Sequence, residues 1–415
     1  FPLNLEGLTG FAEGHGRRNL IKDPALGPMN LSVTSSKAPH AVRGKGHEVM
    51  LRSGGSRLKR ILVTGGAGFI GSHLVESLLS RGDEVRVVDN LATGRMANIQ
   101  HLTKNPRFQF TGGSVLDMPL VHRLVADVDQ IFHLAASVGV RYVVDNPLLS
   151  LRNNIHGAEN ILEAATPRLT PVILFSSSEV YGKGHGGPLH EDDDRILGAT
   201  RYTRWGYAAS KSVDEFLALA YHREKGLPIR LVRCFNTCGP RQVGSYGMVI
   251  PRFVEQALDD RPITIYGDGM QSRCFSFVGD VVRGVLMLAD HPEANGQVFN
   301  IGTDEEVTVR ELAERIVERT ASTSRMECIP YDEAFGPGFE DMPRRVPDLS
   351  RIHDLVGYRP EVSLDQLLEL TIANIESERR AGTMAVASAP RASRPVVAPA
   401  MLADAVGVLR HGDSD

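Results

Sequence analysis

The chain has 415 residues, a net charge of −4 and 42% hydrophobic residues, which is enough to bury a large core in two or three domain-sized units. Without a basic excess there is no sign of a nucleic-acid partner. No apolar run approaches the ~18 residues of a membrane helix, and the first residues lack the charged-then-apolar order of a secretion signal, so a cytoplasmic protein without a membrane partner is expected.

Residues 1–57 are rich in Gly, Ser, Arg, Lys and His without a sustained period, and read as a disordered N-terminal arm. Ile61–Val63 is a short apolar run bounded by turn residues, the pattern of a buried strand. Gly65-Gly66-Ala67-Gly68-Phe69-Ile70-Gly71 follows at once, and from Ile70 the apolar residues Ile70, Leu74, Val75, Leu78 and Leu79 fall at helical spacing. Gly82-Asp83 ends that helix, Val85–Val88 reads as the next strand, and Asp89-Asn90 closes it.

These residue types suit a dinucleotide. Gly65 permits the tight turn, Gly68 lets backbone approach a pyrophosphate, and Gly71 lets helix and strand pack closely. The helix N-terminus at Phe69 and Ile70 offers free N–H groups and a partial positive charge to the phosphates. Asp89 can accept hydrogen bonds from the adenosine ribose and would repel a 2′-phosphate, so NAD is favoured over NADP.

Further strand candidates are Gln130–Leu134, Val172–Phe175, Ile229–Arg233 and Val298–Ile301, alternating with helical patterns. That alternation predicts an α/β fold with a doubly wound parallel sheet of Rossmann type. After Asn236 the order changes to loops and helices, ending in a helix over Ser363–Glu378. The expected domains are therefore a cofactor-binding domain over 58–235 and, over 236–380, mainly a smaller substrate-binding lobe with some segments returning to the first. Residues 381–415, rich in Ala and Pro, read as a flexible tail. Cys234, Cys238, Cys274 and Cys328 lack a metal spacing with histidines and read as small, partly buried residues in a reducing compartment, so no metal is expected. The acidic run Glu191–Asp194 reads as a solvated loop and His185 as a flexible loop residue.

Leu134, Ala135 and Ala136 follow His133 at a strand end and would lie against the cofactor. Ser176-Ser177-Ser178-Glu179-Val180-Tyr181-Gly182 ends the next strand at the same sheet edge. Tyr207 and Lys211 stand at i and i+4 on one face of an apolar-periodic helix. An ammonium beside a phenol stabilises the phenolate, so Lys211 is expected to lower the Tyr207 pKa from about 10 and make it a general base.

The pieces TGGAGFIG, VVDN, HLAA, NNIHGAEN, SSSEVYG, YAASK, RCFNTCGPRQ and RRVPDLSRI carry a family likeness. Over Arg60–Ser377 the chain resembles nucleotide-sugar-modifying enzymes of the extended short-chain dehydrogenase/reductase superfamily. The resemblance implies that Ser177 hydrogen-bonds the sugar 4-hydroxyl, Tyr207 removes its proton, and Lys211 supports Tyr207 and binds the nicotinamide ribose. It implies that Asn154 holds the cofactor-side loop, that Asn236 contacts the nucleotide diphosphate, and that Arg273 and Arg345 neutralise its charge. Glu179, the RW before GYAASK and FGPGFEDMPRRVPD resemble the UDP-glucuronate decarboxylases, with Glu179 binding sugar hydroxyls or assisting proton return. SVGVRY, Ser137–Tyr142, instead resembles UDP-sugar 4-epimerases, the alternative activity. Ser178, where the 4,6-dehydratases carry an Asp acid, counts against a dehydratase, and the intact Tyr207–Lys211 pair counts against a non-catalytic NAD sensor. Helices starting at Pro147 and Tyr207 match elements that pair into a four-helix bundle, which implies a homodimer. The implied partner is a nucleotide sugar, UDP-linked.

Overall fold

Short runs of β-branched and aromatic residues build the central sheet. In the computed structural model they form β1 (Arg60–Thr64), β2 (Glu84–Asp89), β3 (Phe108–Gly112), β4 (Gln130–His133), β5 (Val172–Ser177), β6 (Ile229–Cys234) and β7 (Gln297–Ile301). The structure describes residues 58–244, 247–336 and 340–382, with the side chains of Val140 and Arg141 left out. The expectations for the N-terminal arm 1–57 and for the tail beyond Gly382 lie outside the described residues. All six pairings in the sheet are parallel, in the order β7-β6-β5-β4-β1-β2-β3. Parallel strands need crossovers, and helices supply them on both faces. One face is covered by α1 (Phe69–Ser80) and, far along the chain, by a helix over Val278–Asp290. The other is covered by α2 (Met118–Val125), α3 (Pro147–Ala165) and α4 (Gly206–Lys225).

This is the doubly wound α/β sheet expected from the sequence. Strand β3 and helix α2 had no clear sequence signature: FQFTG buries only Phe108 fully, as an edge strand can. The C-terminal third contains short strands as well as the expected loops and helices. Ser272–Cys274 lies between Glu306–Thr308 and Arg344–Arg345, and Ile263–Tyr266 pairs with Met326–Ile329. Strands of two to four residues are too short to show a period of two. A separate apolar core joins the helices over Val249–Leu258, Val309–Thr320 and Leu364–Arg380. Among the described residues no helix is long and apolar enough to cross a membrane.

A buried polar hub ties the sheet to the segment after β5. The Arg233 guanidinium, 1% exposed, donates to both oxygens of Glu215 at 2.9 and 2.8 Å, to the Tyr181 hydroxyl at 2.8 Å and to the Glu191 carbonyl at 2.8 Å. The Tyr181 hydroxyl donates to Asn300 Oδ1 at 2.7 Å. Glu191 accepts from the Asn300 backbone amide at 2.8 Å and is 4% exposed. The acidic run is therefore no solvated loop at its first residue: a buried amide and a nearby arginine draw Glu191 inward. His185 is likewise held, its Nε2 lying 2.8 Å from Asp193 Oδ2.

Candidate active site

The parallel register brings the carboxyl ends of β1, β4, β5 and β6 to one edge: Thr64 lies beside His133, and Ser177 beside Cys234. At β1 the chain must turn within a few ångströms of β4. Gly65 does so with φ +71°, and a Cβ there would lie 2.8 Å from the Ala135 nitrogen. A Cβ on Gly71 would lie 2.2 Å from the Gly65 carbonyl oxygen, so only glycine lets α1 start this close to β1. No side chain caps α1, whose N-cap is Gly68, so the first-turn amides, those of Phe69 and Ile70 among them, have no capping acceptor. Asp89, at the end of β2, accepts from the amides of Ala67 at 3.0 Å and Leu91 at 2.8 Å. Burial raises its pKa while those two amides oppose the shift. Asn90 is exposed and accepts from the Ala92 amide at 3.0 Å. A glycine cradle, an uncapped helix start and an acid held beside them fit a dinucleotide: the amides would take the pyrophosphate and Asp89 the adenosine ribose.

The turn after β4 is pinned by one hydroxyl. Thr64 Oγ1 accepts from the amides of Leu134 and Ala135 at 3.2 and 3.1 Å and lies 2.8 Å from His133 Nδ1. The one hydroxyl thus ties the end of β1 to both the turn after β4 and the His133 imidazole. Ala136 follows, partly buried. Asn154 on α3 is fully buried; it accepts from the Ser137 amide at 2.7 Å and donates to Ser210 Oγ on α4 at 3.0 Å.

Ser177 ends β5, and Tyr207 and Lys211 lie on α4 opposite it. Ser177 and Tyr207 share a side-chain hydrogen bond, and Ser177 Oγ accepts from the Glu179 amide at 3.2 Å. The expected lowering of the Tyr207 pKa by Lys211 is not what the structure shows. Burial first, then the Glu179 carboxylate, push the Tyr207 phenol well above its ordinary value, with Cys234 and Asp214 adding to the effect. The Lys211 ammonium is engaged elsewhere, donating to Asp214 Oδ2 at 3.1 Å.

Glu179 sits at the centre of a second constellation. It is bracketed by Arg204 Nη1 at 2.5 Å and Arg345 Nη1 at 2.6 Å. Asp341 joins in, 3.3 Å from Arg204, 3.7 Å from Arg345 and 2.7 Å from Arg273. Three guanidiniums thus surround two carboxylates and leave one excess positive charge. Burial favours neutral Glu179, but Arg204 and Arg345 together outweigh it and hold the carboxyl far below its usual range. The two guanidiniums thus favour the carboxylate form of Glu179, which accepts hydrogen bonds and suits the expected contact with sugar hydroxyls. Arg273 and Arg345, which the resemblance gives to the nucleotide diphosphate, face the carboxylates of Asp341 and Glu179 here. The Asn236 amide nitrogen donates to the Cys274 carbonyl at 2.8 Å, so that group holds the neighbouring short strand in place. Arg204 and Asp341 lie in the RW and FGPGFEDMPRRVPD stretches that carry the decarboxylase resemblance, but neither was given a role from sequence. Among the described residues no group of three or more His, Cys, Asp and Glu side chains is placed to hold a metal ion.

The sequence profile of the family described as GDP-mannose 4,6 dehydratase matches residues 62–371, and the chain belongs to that family. Its relatives include UDP-N-acetyl-alpha-D-glucosaminuronate decarboxylase of Bacillus cytotoxicus, 42% identical over 76% of this chain and 97% of that protein. UDP-glucuronic acid decarboxylase 4 of Arabidopsis thaliana is 37% identical over 76% of this chain and 68% of that protein. Among solved structures, UDP-glucuronic acid 4-epimerase from Bacillus cereus, in complex with UDP-glucuronic acid and NAD, superposes with a TM-score of 0.70. It is 32% identical, and the match covers 77% of this chain and 99% of that one.

Proposed function

We propose that this protein is an NAD-dependent decarboxylase of a UDP-linked uronic acid, working through a 4-keto sugar. The observation that carries the reading is the Glu179 cluster beside Ser177 and Tyr207, in which three arginines face two carboxylates. An excess guanidinium charge next to a C4-oxidising pair suits a substrate that carries both a diphosphate and a C6 carboxylate. NAD, held by the Gly65–Gly71 turn and Asp89, would supply the hydride acceptor for C4 oxidation and the hydride donor for the closing reduction. Ser177 orients the 4-hydroxyl and Tyr207 takes its proton. A ketone at C4 makes the C6 carboxylate a β-keto acid, and the arginine cluster orients that carboxylate. Asn236, Arg273 and Arg345 are the residues assigned to the nucleotide diphosphate and its neighbourhood. In this reading residues 58–235 bind the cofactor, and 236–380 mainly form the substrate lobe. The described cysteines are free, which supports a cytoplasmic setting.

The test is an NMR time course with UDP-glucuronate, UDP-N-acetylglucosaminuronate and UDP-glucose, with carbon dioxide measured in parallel. Release of carbon dioxide with a pentose product supports the proposal. Interconversion of C4 epimers with no carbon dioxide replaces it with the 4-epimerase reading, which the fold shared with the Bacillus cereus epimerase supports.

The cofactor half of the proposal has its own check. Denatured protein is expected to release NAD or NADH, because the hydride returns within each turnover. Predominant release of NADP would overturn the role given to Asp89.

We also infer a homodimer through α3 and α4. Leu148 and Leu149 on α3 are 63% and 47% exposed, and Phe216 and Val213 on α4 are 65% and 38% exposed. Apolar side chains this open on two neighbouring helices suit a four-helix interface. Light scattering at micromolar concentration is expected to give a dimer, and Phe216→Glu with Leu148→Glu a monomer. A wild-type protein that is monomeric throughout would remove this part of the reading.

A further inference from the structure

Lys211 is the residue whose surroundings least match its assigned role. Its ammonium should support Tyr207, yet it donates to Asp214 Oδ2 at 3.1 Å, and both side chains are buried, at 3% and 0% exposure. Asp214 Oδ1 is also buried and has no hydrogen-bond partner. An ion pair with one oxygen left open is a poor way to stabilise a fold. Apolar residues of similar size in its place are often as good or better.

The charged and titratable groups facing this pair come from every element packed against it. From β4, His133 presents a buried Nε2 that also has no partner. Burial and then Lys211 lower its pKa to about 3, so it is neutral. From β6, the Cys234 thiol is pushed up to about 12 by burial, against the pull of Lys211, and is neutral as well. From the segment after β5, Glu179 acts on Tyr207. On α4 itself stand Tyr207 and Glu215; Glu215 repels Asp214 and is itself bound to Arg233. Burial raises the Asp214 carboxyl, and Lys211 is the group that opposes this. Asp214 therefore holds the ammonium of a lysine that stands at i,i+4 from Tyr207, and its own charge raises the Tyr207 phenol, in a dry site where unit charges interact strongly.

We propose that Asp214 is a positioning residue for the reaction: its ion pair draws the Lys211 ammonium away from Tyr207, and that pull sets how readily Tyr207 gives up its proton. The inference rests on the assignment of Tyr207 as the base. Substituting Asp214 by a neutral residue returns the whole Lys211 charge to Tyr207 and removes a repelling anion, and both changes favour the phenolate.

The experiment titrates the tyrosinate absorbance of the purified holoenzyme, with Tyr207→Phe subtracted as the blank. Asp214→Asn is expected to move the Tyr207 titration down by about one pH unit. The pH profile of kcat for NADH formation should move the same way, while KM for the sugar nucleotide stays unchanged. Asp214→Glu retains the charge and is expected to retain the wild-type titration. An unmoved titration in a folded Asp214→Asn overturns the proposal. If that variant does not fold, Asp214→Ser takes its place under the same criterion. Failure of both neutral variants to fold while Asp214→Glu folds assigns a structural role instead and also overturns it. The titration needs no sugar nucleotide, so its outcome is separate from that of the decarboxylase reading. A wild type that turns over no UDP-uronate leaves the Asp214 result intact.

Discussion

Tyr207→Phe is expected to lose all C4 chemistry, including the transient absorbance of reduced cofactor, with turnover down at least about a hundredfold. The ring packs as before, so the fold should persist; only the hydroxyl that bonds Ser177 is removed. Circular dichroism and NAD retention check the fold, and stopped-flow absorbance checks the step. The wild-type pH profile carries a related expectation. Burial and Glu179 raise the Tyr207 phenol, and a base works only when deprotonated, so activity should climb toward alkaline pH. A Tyr207→Phe enzyme that still reduces its cofactor would end the assignment of Tyr207 as the base.

Glu179→Gln is the second large effect. The amide keeps the shape but removes the anion that Arg204 and Arg345 both face, leaving three guanidiniums around Asp341 alone. Breaking a buried charge pair in this way typically costs about 3–5 kcal/mol of stability. The Glu179 side chain is 14% exposed, which places the expected loss toward the lower end of that range. Turnover should fall at least tenfold, on the order of 1.4 kcal/mol in the barrier, while the sugar nucleotide still binds. Loss of the Glu179 charge also lowers the Tyr207 titration, so the pH profile should shift toward acid as the maximal rate falls. Wild-type turnover in a well-folded Glu179→Gln would show that the carboxylate has no part in the chemistry.

The cofactor side of this site was legible because its signals are local. Gly65 to Asp89 is one strand–turn–helix–strand unit, and each glycine answers a close approach within that unit. The Ser177, Tyr207 and Lys211 positions were legible in the same way, from a strand end and a helix face. The arginine cluster was legible only in pieces: Glu179, Arg273 and Arg345 stood out one by one, but that they meet Arg204 and Asp341, themselves 137 residues apart, shows only in three dimensions. The Lys211–Asp214 pair stands at helical spacing, where an i,i+3 pair usually lies on a solvated face. Burial turns it into something else, and burial is what a single sequence shows least. Glu191 misled for the same reason: its run of acids looks solvated until Asn300 and Arg351 are placed beside it.

The Arg233 hub bears on how the molecule opens. Its partners come from α4, from the segment after β5, and through Tyr181 from β7, so no one of these can detach without stranding a buried guanidinium. The stretch from Tyr181 to Glu191 would ordinarily fray early, as long surface connections do. Here its two ends share the opening free energy of the central sheet. The Lys183 and Leu189 amides, bonded to the Ile196 and Val346 carbonyls, should exchange with solvent more slowly than the exposed amides of His185 and Gly186 between them. The helix that carries Tyr207 is anchored through Glu215 to the same arginine, so the aim of the catalytic side chain is fixed by a contact two turns away.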